Sequence, residues 1–327
     1  MKRFISNFTK QLAEAKLIGE QLIKYDNSKD IRNVIICGLG GSGIGGKIVS
    51  NISESRSNVP VMVHNSYSLP LFVNNETLVI ISSYSGDTEE TISAFNEALK
   101  RGCEIICITS GGMVERIAKE NDTPIILVPG GNPPRAMLTY SLTQLLFILQ
   151  QYSIIEMDMI TEIENTISLL ENEMDEIKLE AKDISDKVGG TTVLIYSDAT
   201  FEGVGTRFKQ QLNENSKTLA FSNVVPEMNH NELLGWQGGN KTFSAIFLRN
   251  QSDNERNKLR MDISKSEISK RANYCVDILS KGVTEIERVY YLILITDWIS
   301  IHLAEQYGVD SIEIKVIESL KGKLKSN

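Results

Sequence analysis

The sequence predicts an α/β fold in which parallel sheets are covered by helices on both faces, arranged as two tandem domains. Three observations support this prediction. Short apolar runs alternate with helix-like stretches, a glycine-rich turn follows the first of these runs, and the alternation restarts after a long charged segment. The chain has 327 residues, and at ~150 residues per domain this length accommodates roughly two domains. We expect one domain over residues 1–153 and a second, preceded by a linker helix, over 154–327.

The first half opens with a predicted amphipathic helix, because apolar residues recur there at near-helical spacing: Phe8, Leu12, Ala15, Leu17, Leu22 and Ile23. The polar segment 26–29 ends it. Five short apolar runs typical of buried strands follow, at residues 34–37, 61–63, 78–81, 105–108 and 125–128. Helix-like stretches separate several of them, notably 88–100 and 114–119. This order predicts a parallel sheet.

The second half repeats this pattern after two helical stretches. A helix is predicted over 137–152, and the charged stretch 157–187 forms the linker helix, which ends at Gly189 and Gly190. Strands are then expected at 193–196, 219–222 and 243–248, with a helix through 206–213. An apolar helix over 288–306 and a last helix over 311–325 complete the chain.

Composition excludes several classes of function. The net charge of −8 gives no general attraction for a phosphate backbone, so we expect no nucleic-acid partner. No apolar stretch approaches the ~20 residues that span a bilayer, and the amino terminus lacks the apolar centre of a secretory signal. We therefore expect a cytoplasmic protein with reduced cysteines and no membrane partner.

A glycine-rich turn, residues 38–46, follows the first predicted strand and opens a helix. It contains the G-x-G-x-x-G spacing of dinucleotide-binding turns, but the next strand ends in His64-Asn65-Ser66 rather than in an acidic residue that would hold a ribose. The turn remains suited to an anion, because glycines allow close backbone approach and a helix amino terminus favours negative charge. A tight turn without a ligand is the alternative.

A second turn, residues 82–91, follows the predicted strand at 78–81 and precedes a helix. Ser83, Ser85 and Thr88 surround a glycine there, and short hydroxyl side chains with free amides at a helix start are suited to a phosphate group. The alternative is that Ser85 or Thr88 only caps the helix.

Taken together, the two turns resemble those of the sugar isomerase (SIS) domain, a doubly wound parallel-sheet fold of the flavodoxin-like type. Residues 133–136 (Pro-Pro-Arg-Ala), 211–217 (Gln-Leu-Asn-Glu-Asn-Ser-Lys) and 226–232 (Pro-Glu-Met-Asn-His-Asn-Glu) are similar to segments of the bifunctional phosphoglucose/phosphomannose isomerases. The resemblance covers most of the chain. It implies two tandem SIS domains, a phosphosugar substrate, and an active site at a homodimer interface.

The resemblance also implies the roles of individual residues. Ser83, Ser85 and Thr88 would hold the sugar phosphate, with Gly41 and Ser42 near the sugar. Glu214 would be the base that moves a proton between C2 and C1 through a cis-enediolate, and Arg135 would stabilise the enediolate charge. His230 and Lys321 would open the sugar ring.

Each of these residues has a more ordinary interpretation. Glu214 lies near a helix end among polar neighbours, where a solvated surface carboxylate is common, and an arginine such as Arg135 is usually a surface residue. Lys321 shares its helix with other lysines that mainly solvate it. The chain also departs from the family, which often has a D-P-T-P-like turn where this chain continues from Asp310 into Ser311-Ile312-Glu313.

Three functions therefore compete. The first is an aldose–ketose isomerase acting on glucose 6-phosphate or mannose 6-phosphate without metal or nucleotide cofactor, since no cluster of His, Asp and Glu has ligand spacing. The second is a non-catalytic phosphosugar-binding regulator, which would need the hydroxyl turn but not Glu214, His230 or Lys321. The third is an NAD(P)-dependent dehydrogenase, which the missing acidic residue disfavours.

Overall fold

Two parallel sheets form the frame of the protein in a computed structural model, which describes residues 1–22 and 30–325. The first sheet has the strand order β2-β1-β3-β4-β5, and every pairing is parallel. This is the 2-1-3-4-5 order of flavodoxin-like sheets. Its strands are β1 (Asn33–Cys37), β2 (Val61–His64), β3 (Thr77–Ser83), β4 (Glu104–Thr109) and β5 (Ile125–Leu127).

Helices connect these strands and cover both faces of the sheet. The apolar side chains of each strand alternate between two buried clusters, one under each helical layer; Val34 and Ile36 lie in one, Ile35 and Cys37 in the other. The helices of this half are α1 (Lys2–Ser6), α2 (Phe8–Glu20), α3 (Gly40–Ser53), α4 (Glu89–Lys100), α5 (Gly112–Glu120) and α6 (Leu138–Gln151).

The second sheet has four strands in the order β7-β6-β8-β9, again all parallel. The strands are β6 (Thr192–Asp198), β7 (Ala220–Val225), β8 (Phe243–Arg249) and β9 (Cys275–Leu279). The helices are α7 (Met159–Val188), α8 (Glu202–Asn215), α9 (Glu232–Gly235), α10 (Glu255–Ser269), α11 (Glu285–Tyr307) and α12 (Lys315–Lys325). The predicted repetition of the first half is confirmed; the division at 153/154 falls between α6 and α7 and stays a prediction.

Close packing of α3 against α8 joins the two halves. The backbone N–H of Gly203, near the start of α8, donates to Asn51 Oδ1 near the end of α3 at 3.0 Å. A Cβ at Gly203 would lie 2.8 Å from the backbone nitrogen of Ile48. The helices run in opposite directions, so the end of α8 lies beside the start of α3, at the carboxyl edge of the first sheet.

Three details differ from the sequence predictions. Strand β9 and helix α10 were not predicted, and α12 begins at Lys315 rather than at Ser311. Leu17 is exposed instead of packing with the other apolar residues of the first helix, and Ile23 and residues 26–29 lie outside the described residues. Among the described residues, no helix is both long and apolar enough to cross a membrane.

Candidate active site

The turn after β3 carries the three hydroxyl groups that the sequence suggests for phosphate binding. Ser83 ends β3 and its Oγ donates to Thr88 Oγ1 at 3.3 Å, while the exposed Ser85 accepts from the backbone N–H of Asp87 at 3.3 Å. Thr88 occupies the position before α4, but its side chain makes no capping hydrogen bond. The threonine hydroxyl therefore faces the same region as the positive end of α4 without being used by the helix.

Gly86 gives this turn its shape. Its φ of +73° lies in the left-handed region, and a Cβ there would come within 1.8 Å of the carbonyl oxygen of Gly111. The Gly86 carbonyl accepts from Val114 N at 3.0 Å, which fixes the turn against the start of α5. Only glycine permits this close approach between the two loops.

The glycine-rich turn after β1 meets the hydroxyl turn directly. Ser42 Oγ accepts from the backbone N–H of Tyr84 at 3.1 Å, and Ser42 itself is buried. A Cβ at the neighbouring Gly41 would lie 3.2 Å from the carbonyl oxygen of Pro134. Three turns, after β1, β3 and β5, thus converge at the carboxyl edge of the sheet, where parallel α/β folds bind ligands.

Arg135 lies at the centre of this region and is only 4% exposed. Its Nε donates to Asn215 Oδ1 at 2.9 Å, and its Nη2 donates to the carbonyls of Ser311 and Ile312 at 2.6 and 3.2 Å. Its Nη1 lies 3.4 Å from Glu214 Oε2. Burial lowers the pKa of the guanidinium, and the Glu214 carboxylate opposes this shift. The ordinary interpretation of Arg135 as a surface residue is therefore wrong.

Glu214 lies in the last turn of α8, and its side chain is 30% exposed. One side of the carboxylate faces Arg135, and the residue also lines a groove of about 510 Å³ between the end of α8 and the start of α12. A carboxylate in this position is ion-paired yet accessible. Such a group can exchange a proton with a small molecule that enters beside Arg135.

Lys217 ties the segment before α12 to the end of α8. Its Nζ donates to the carbonyls of Glu214 and Glu313, each at 2.6 Å. Burial and the nearby Arg135 lower the pKa of this amine. Together with Arg135, which binds the carbonyls of Ser311 and Ile312, it holds this segment against the candidate site.

Neither His230 nor Lys321 bonds to Glu214 within the described part of the chain. His230 ends a short 3-10 turn beyond the carboxyl end of β7, whereas Glu214 lies before the amino end of the same strand. Both His230 and Lys321 are exposed. Across residues 1–22 and 30–325, no hydrogen bond or ion pair joins either side chain to Arg135 or Glu214.

Sequence reasoning did not single out Asn215, Lys217 or Arg207. Asn215 binds Arg135 Nε, and Arg207 Nη2 donates to the Arg135 carbonyl at 3.0 Å. A signal was available, because Arg207, Gln211 and Asn215 are four residues apart and so share one face of α8. The spacing shows that they lie together, but a polar helix face is ordinarily the solvated one, so burial of this network could not be predicted from it.

The site brings together the hydroxyl turn, the fixed positive charge of Arg135 and the Glu214 carboxylate. Contacts through Tyr84, Ser42 and Gly41 link the hydroxyl turn to the Pro134–Arg135 backbone. Arg135 in turn pairs with Glu214. A carboxylate beside a fixed positive charge can accept a proton whose removal leaves an anion.

Comparisons with known proteins identify the family of the chain. The family "SIS domain" matches residues 29–155, and "Bacterial phospho-glucose isomerase C-terminal SIS domain" matches residues 177–324. A bifunctional phosphoglucose/phosphomannose isomerase from Caldicellulosiruptor bescii is 37% identical, over 98% of this chain and 97% of its own length. Another from Aquifex aeolicus is 36% identical, over 92% of this chain and 94% of its own length.

A solved structure confirms the fold class. The C-terminal domain of glucosamine-fructose-6-phosphate aminotransferase from Francisella tularensis superposes with a TM-score of 0.78, covering 96% of this chain and 98% of that one at 15% identity. The prediction of two doubly wound parallel-sheet SIS domains is confirmed by the two family matches and by the two sheets. With identities above one third over nearly the whole length of its relatives, the chain belongs to the bifunctional phosphoglucose/phosphomannose isomerase family.

Proposed function

We propose that the protein is an aldose–ketose isomerase that interconverts glucose 6-phosphate and mannose 6-phosphate with fructose 6-phosphate through a cis-enediolate. The observation that carries this proposal is the 3.4 Å pair of Arg135 Nη1 and Glu214 Oε2, a buried cation beside an accessible carboxylate. The relatives are named as isomerases, so a non-catalytic regulator is not favoured.

The sugar phosphate would bind at the turn after β3. Ser83, Ser85 and Thr88 supply hydroxyl donors there, and the first turn of α4 supplies backbone N–H groups and the positive end of the helix dipole. Gly41 and Ser42 would lie beside the sugar, because their turn contacts both Tyr84 and Pro134. Binding the phosphate at this turn directs the sugar carbons toward Arg135.

Glu214 would carry out the proton transfer. From the aldose, its carboxylate removes the C2 proton; the C–H electrons form the C1–C2 double bond, and the aldehyde oxygen takes up negative charge. The protonated Glu214 returns the proton to C1, and the proton of the C2 hydroxyl passes to the C1 oxygen as the C2 carbonyl forms. Arg135 stabilises the enediolate oxygens, where negative charge is greatest in the transition state.

Ring opening would precede this step and would use His230 and Lys321. Because His230 lies at the far end of β7 from Glu214 in the same chain, we propose that it acts in the active site of a second copy. The site is then completed at a homodimer interface. Lys321 would reach the site from α12, whose leading segment Arg135 and Lys217 hold in place.

The proposed chemistry uses only side chains of the protein, and we propose that the enzyme works in the cytoplasm without metal or nucleotide. A coupled assay on glucose 6-phosphate, mannose 6-phosphate and fructose 6-phosphate tests this, each measured with and without a chelator. We expect turnover of all three, unchanged by the chelator. Absence of turnover with every sugar, while phosphosugar binding persists, would instead support the regulator.

A further inference from the structure

A buried polar ladder connects α8 to α11 beneath the candidate site. Arg207, Gln211 and Asn215 follow one another at intervals of four residues on α8, and each is 2% exposed or less. Facing them on α11 are Asp297 and Ser300, which are also buried. Burying so many polar groups costs free energy unless they are hydrogen-bonded and their charges are paired.

At the end that begins with Arg207, the ladder contains an ion pair. Arg207 Nη2 lies 2.9 Å from Asp297 Oδ2, and Gln211 Nε2 donates to Asp297 Oδ1 at 2.8 Å. Burial raises the pKa of Asp297, and the Arg207 charge opposes that shift. Because Arg207 Nη2 also donates to the Arg135 carbonyl at 3.0 Å, the pair fixes the Arg135 backbone.

At the other end of the ladder, Ser300 sets the orientation of the Asn215 amide. Ser300 Oγ donates its proton to the Asp297 carbonyl at 2.6 Å, so toward Asn215 it can only accept. It accepts from Asn215 Nδ2 at 2.9 Å. This places Asn215 Oδ1, the acceptor, against Arg135 Nε at 2.9 Å.

Of the three guanidinium nitrogens of Arg135, Nη1 is the one that can act on a substrate. Nε is held by Asn215, and Nη2 is held by two backbone carbonyls of the segment before α12, those of Ser311 and Ile312. Nη1 is the nitrogen that faces Glu214. A guanidinium is planar, so fixing Nε and Nη2 fixes the direction of Nη1.

We propose that Asn215 is a positioning residue, oriented by Ser300, that holds the Arg135 guanidinium so that Nη1 faces the reacting carbons. The inference rests on the proposed isomerase function, since it assigns Nη1 to the enediolate. It predicts that Asn215 acts on the transition state rather than on substrate binding, because the phosphate turn is untouched.

The test measures kcat and KM for fructose 6-phosphate and calorimetric binding of arabinonate 5-phosphate, whose carboxylate resembles the enediolate. For Asn215→Leu we expect kcat to fall about 10- to 100-fold, with KM changed less than threefold and analogue binding weakened in parallel with kcat. Ser300→Ala touches neither Arg135 nor substrate, frees the amide to turn, and should lower kcat about threefold to tenfold.

Asn215→Asp is the conservative variant, since it keeps an acceptor for Arg135 Nε. We expect its kcat to stay within about tenfold of wild type. Its KM should stay within about threefold of wild type, and analogue binding should follow kcat. A residue needed only for folding would not give this split between kcat and KM.

Thr296→Val is the matched control, because Thr296 is a buried neighbour on α11 whose hydroxyl donates to its own helix at Leu292. It should leave kcat unchanged. The inference is overturned if Asn215→Leu and Ser300→Ala, both folded by circular dichroism, keep wild-type kcat and analogue affinity. If the wild type itself turns over none of the sugars, the proposed function fails, and analogue binding alone still tests the role of Asn215.

Discussion

Glu214 and His230 of one chain lie at opposite ends of strand β7. Glu214 is in the last turn of α8, before the strand begins at Ala220, and His230 follows its end at Val225. Five steps along the strand at ~3.3 Å each separate the two ends by about 17 Å. An imidazole that opens a sugar ring must lie within a few ångströms of it, so we propose that Glu214 and His230 of different chains serve the same sugar.

This separation makes the proposed homodimer testable by mixing subunits. Glu214→Gln and His230→Ala are each expected to lose activity as pure dimers. In a hybrid dimer, one site combines intact Glu214 with intact His230 from the other chain. After subunit exchange at equal amounts, half the dimers are hybrids with one working site each, so about a quarter of the wild-type activity should return.

The matched control mixes Glu214→Gln with Arg135→Ala. Both residues belong to the same chain's part of the site, as their 3.4 Å contact shows, so neither site of that hybrid is complete. No recovery is expected. Two results would contradict the shared site. One is equal recovery of activity in both mixtures. The other is no recovery in the mixture of Glu214→Gln with His230→Ala after mass spectrometry has demonstrated subunit exchange.

Glu214→Gln should remove the proton acceptor while keeping the size of the side chain. We expect kcat to fall about 10³-fold or more, because general base catalysis contributes up to ~10⁴-fold. Fructose 6-phosphate binding, measured by calorimetry, should persist, since the phosphate turn lies on another part of the chain. Turnover within tenfold of wild type would remove Glu214 from the mechanism.

Arg135→Ala should affect both catalysis and the segment before α12. Loss of one charged donor to a developing anion lowers kcat by about 10²- to 10³-fold, with a smaller change in KM. The carbonyls of Ser311 and Ile312 also lose their donor, so hydrogen exchange of residues 313–324 should accelerate. A variant that changes only KM would reassign Arg135 to binding of the ground state.

Eight of the nine described strands and the two glycine- and serine-containing turns could be predicted because their signals are local. Apolar runs ending in glycine or serine mark β1 and β3 within a few residues of the structure. Strand β9 was missed because its apolar run is interrupted by Asp277, which accepts from Lys265 at 2.6 Å on the edge of the sheet. Helix α10 was missed because few of its residues are buried apolar ones, chiefly Met261 and Ile268.

The environment of Arg135 could not be predicted, because it depends on contacts between distant segments. Asn215 is 80 positions away and Ser311 is 176 positions away. The same contacts explain why α12 starts late: the Ser311 and Ile312 carbonyls bind Arg135, and Asp310 Oδ1 accepts from Ile312 N at 2.8 Å. Side-chain bonds of this kind compete with helix formation.

Asp253 provides a prediction about stability. It is 5% exposed, and burial raises the pKa of its carboxyl from 3.8 to about 6, with a further contribution from Asp198. Between these pH values the folded state binds more protons than the unfolded state. The free energy of unfolding therefore falls as pH rises through this range.

Asp253→Asn should remove this penalty, because the amide is neutral and its oxygen can still accept from the backbone N–H of Asn250, which now donates at 2.9 Å. We expect a gain of about 2 kcal/mol above pH 6 and little change at pH 4. Urea denaturation at several pH values measures it, with Asp175→Asn, an exposed aspartate on α7, as the control. A variant less stable than wild type at pH 7 would mean that the buried carboxylate is stabilised by partners in its ionised form.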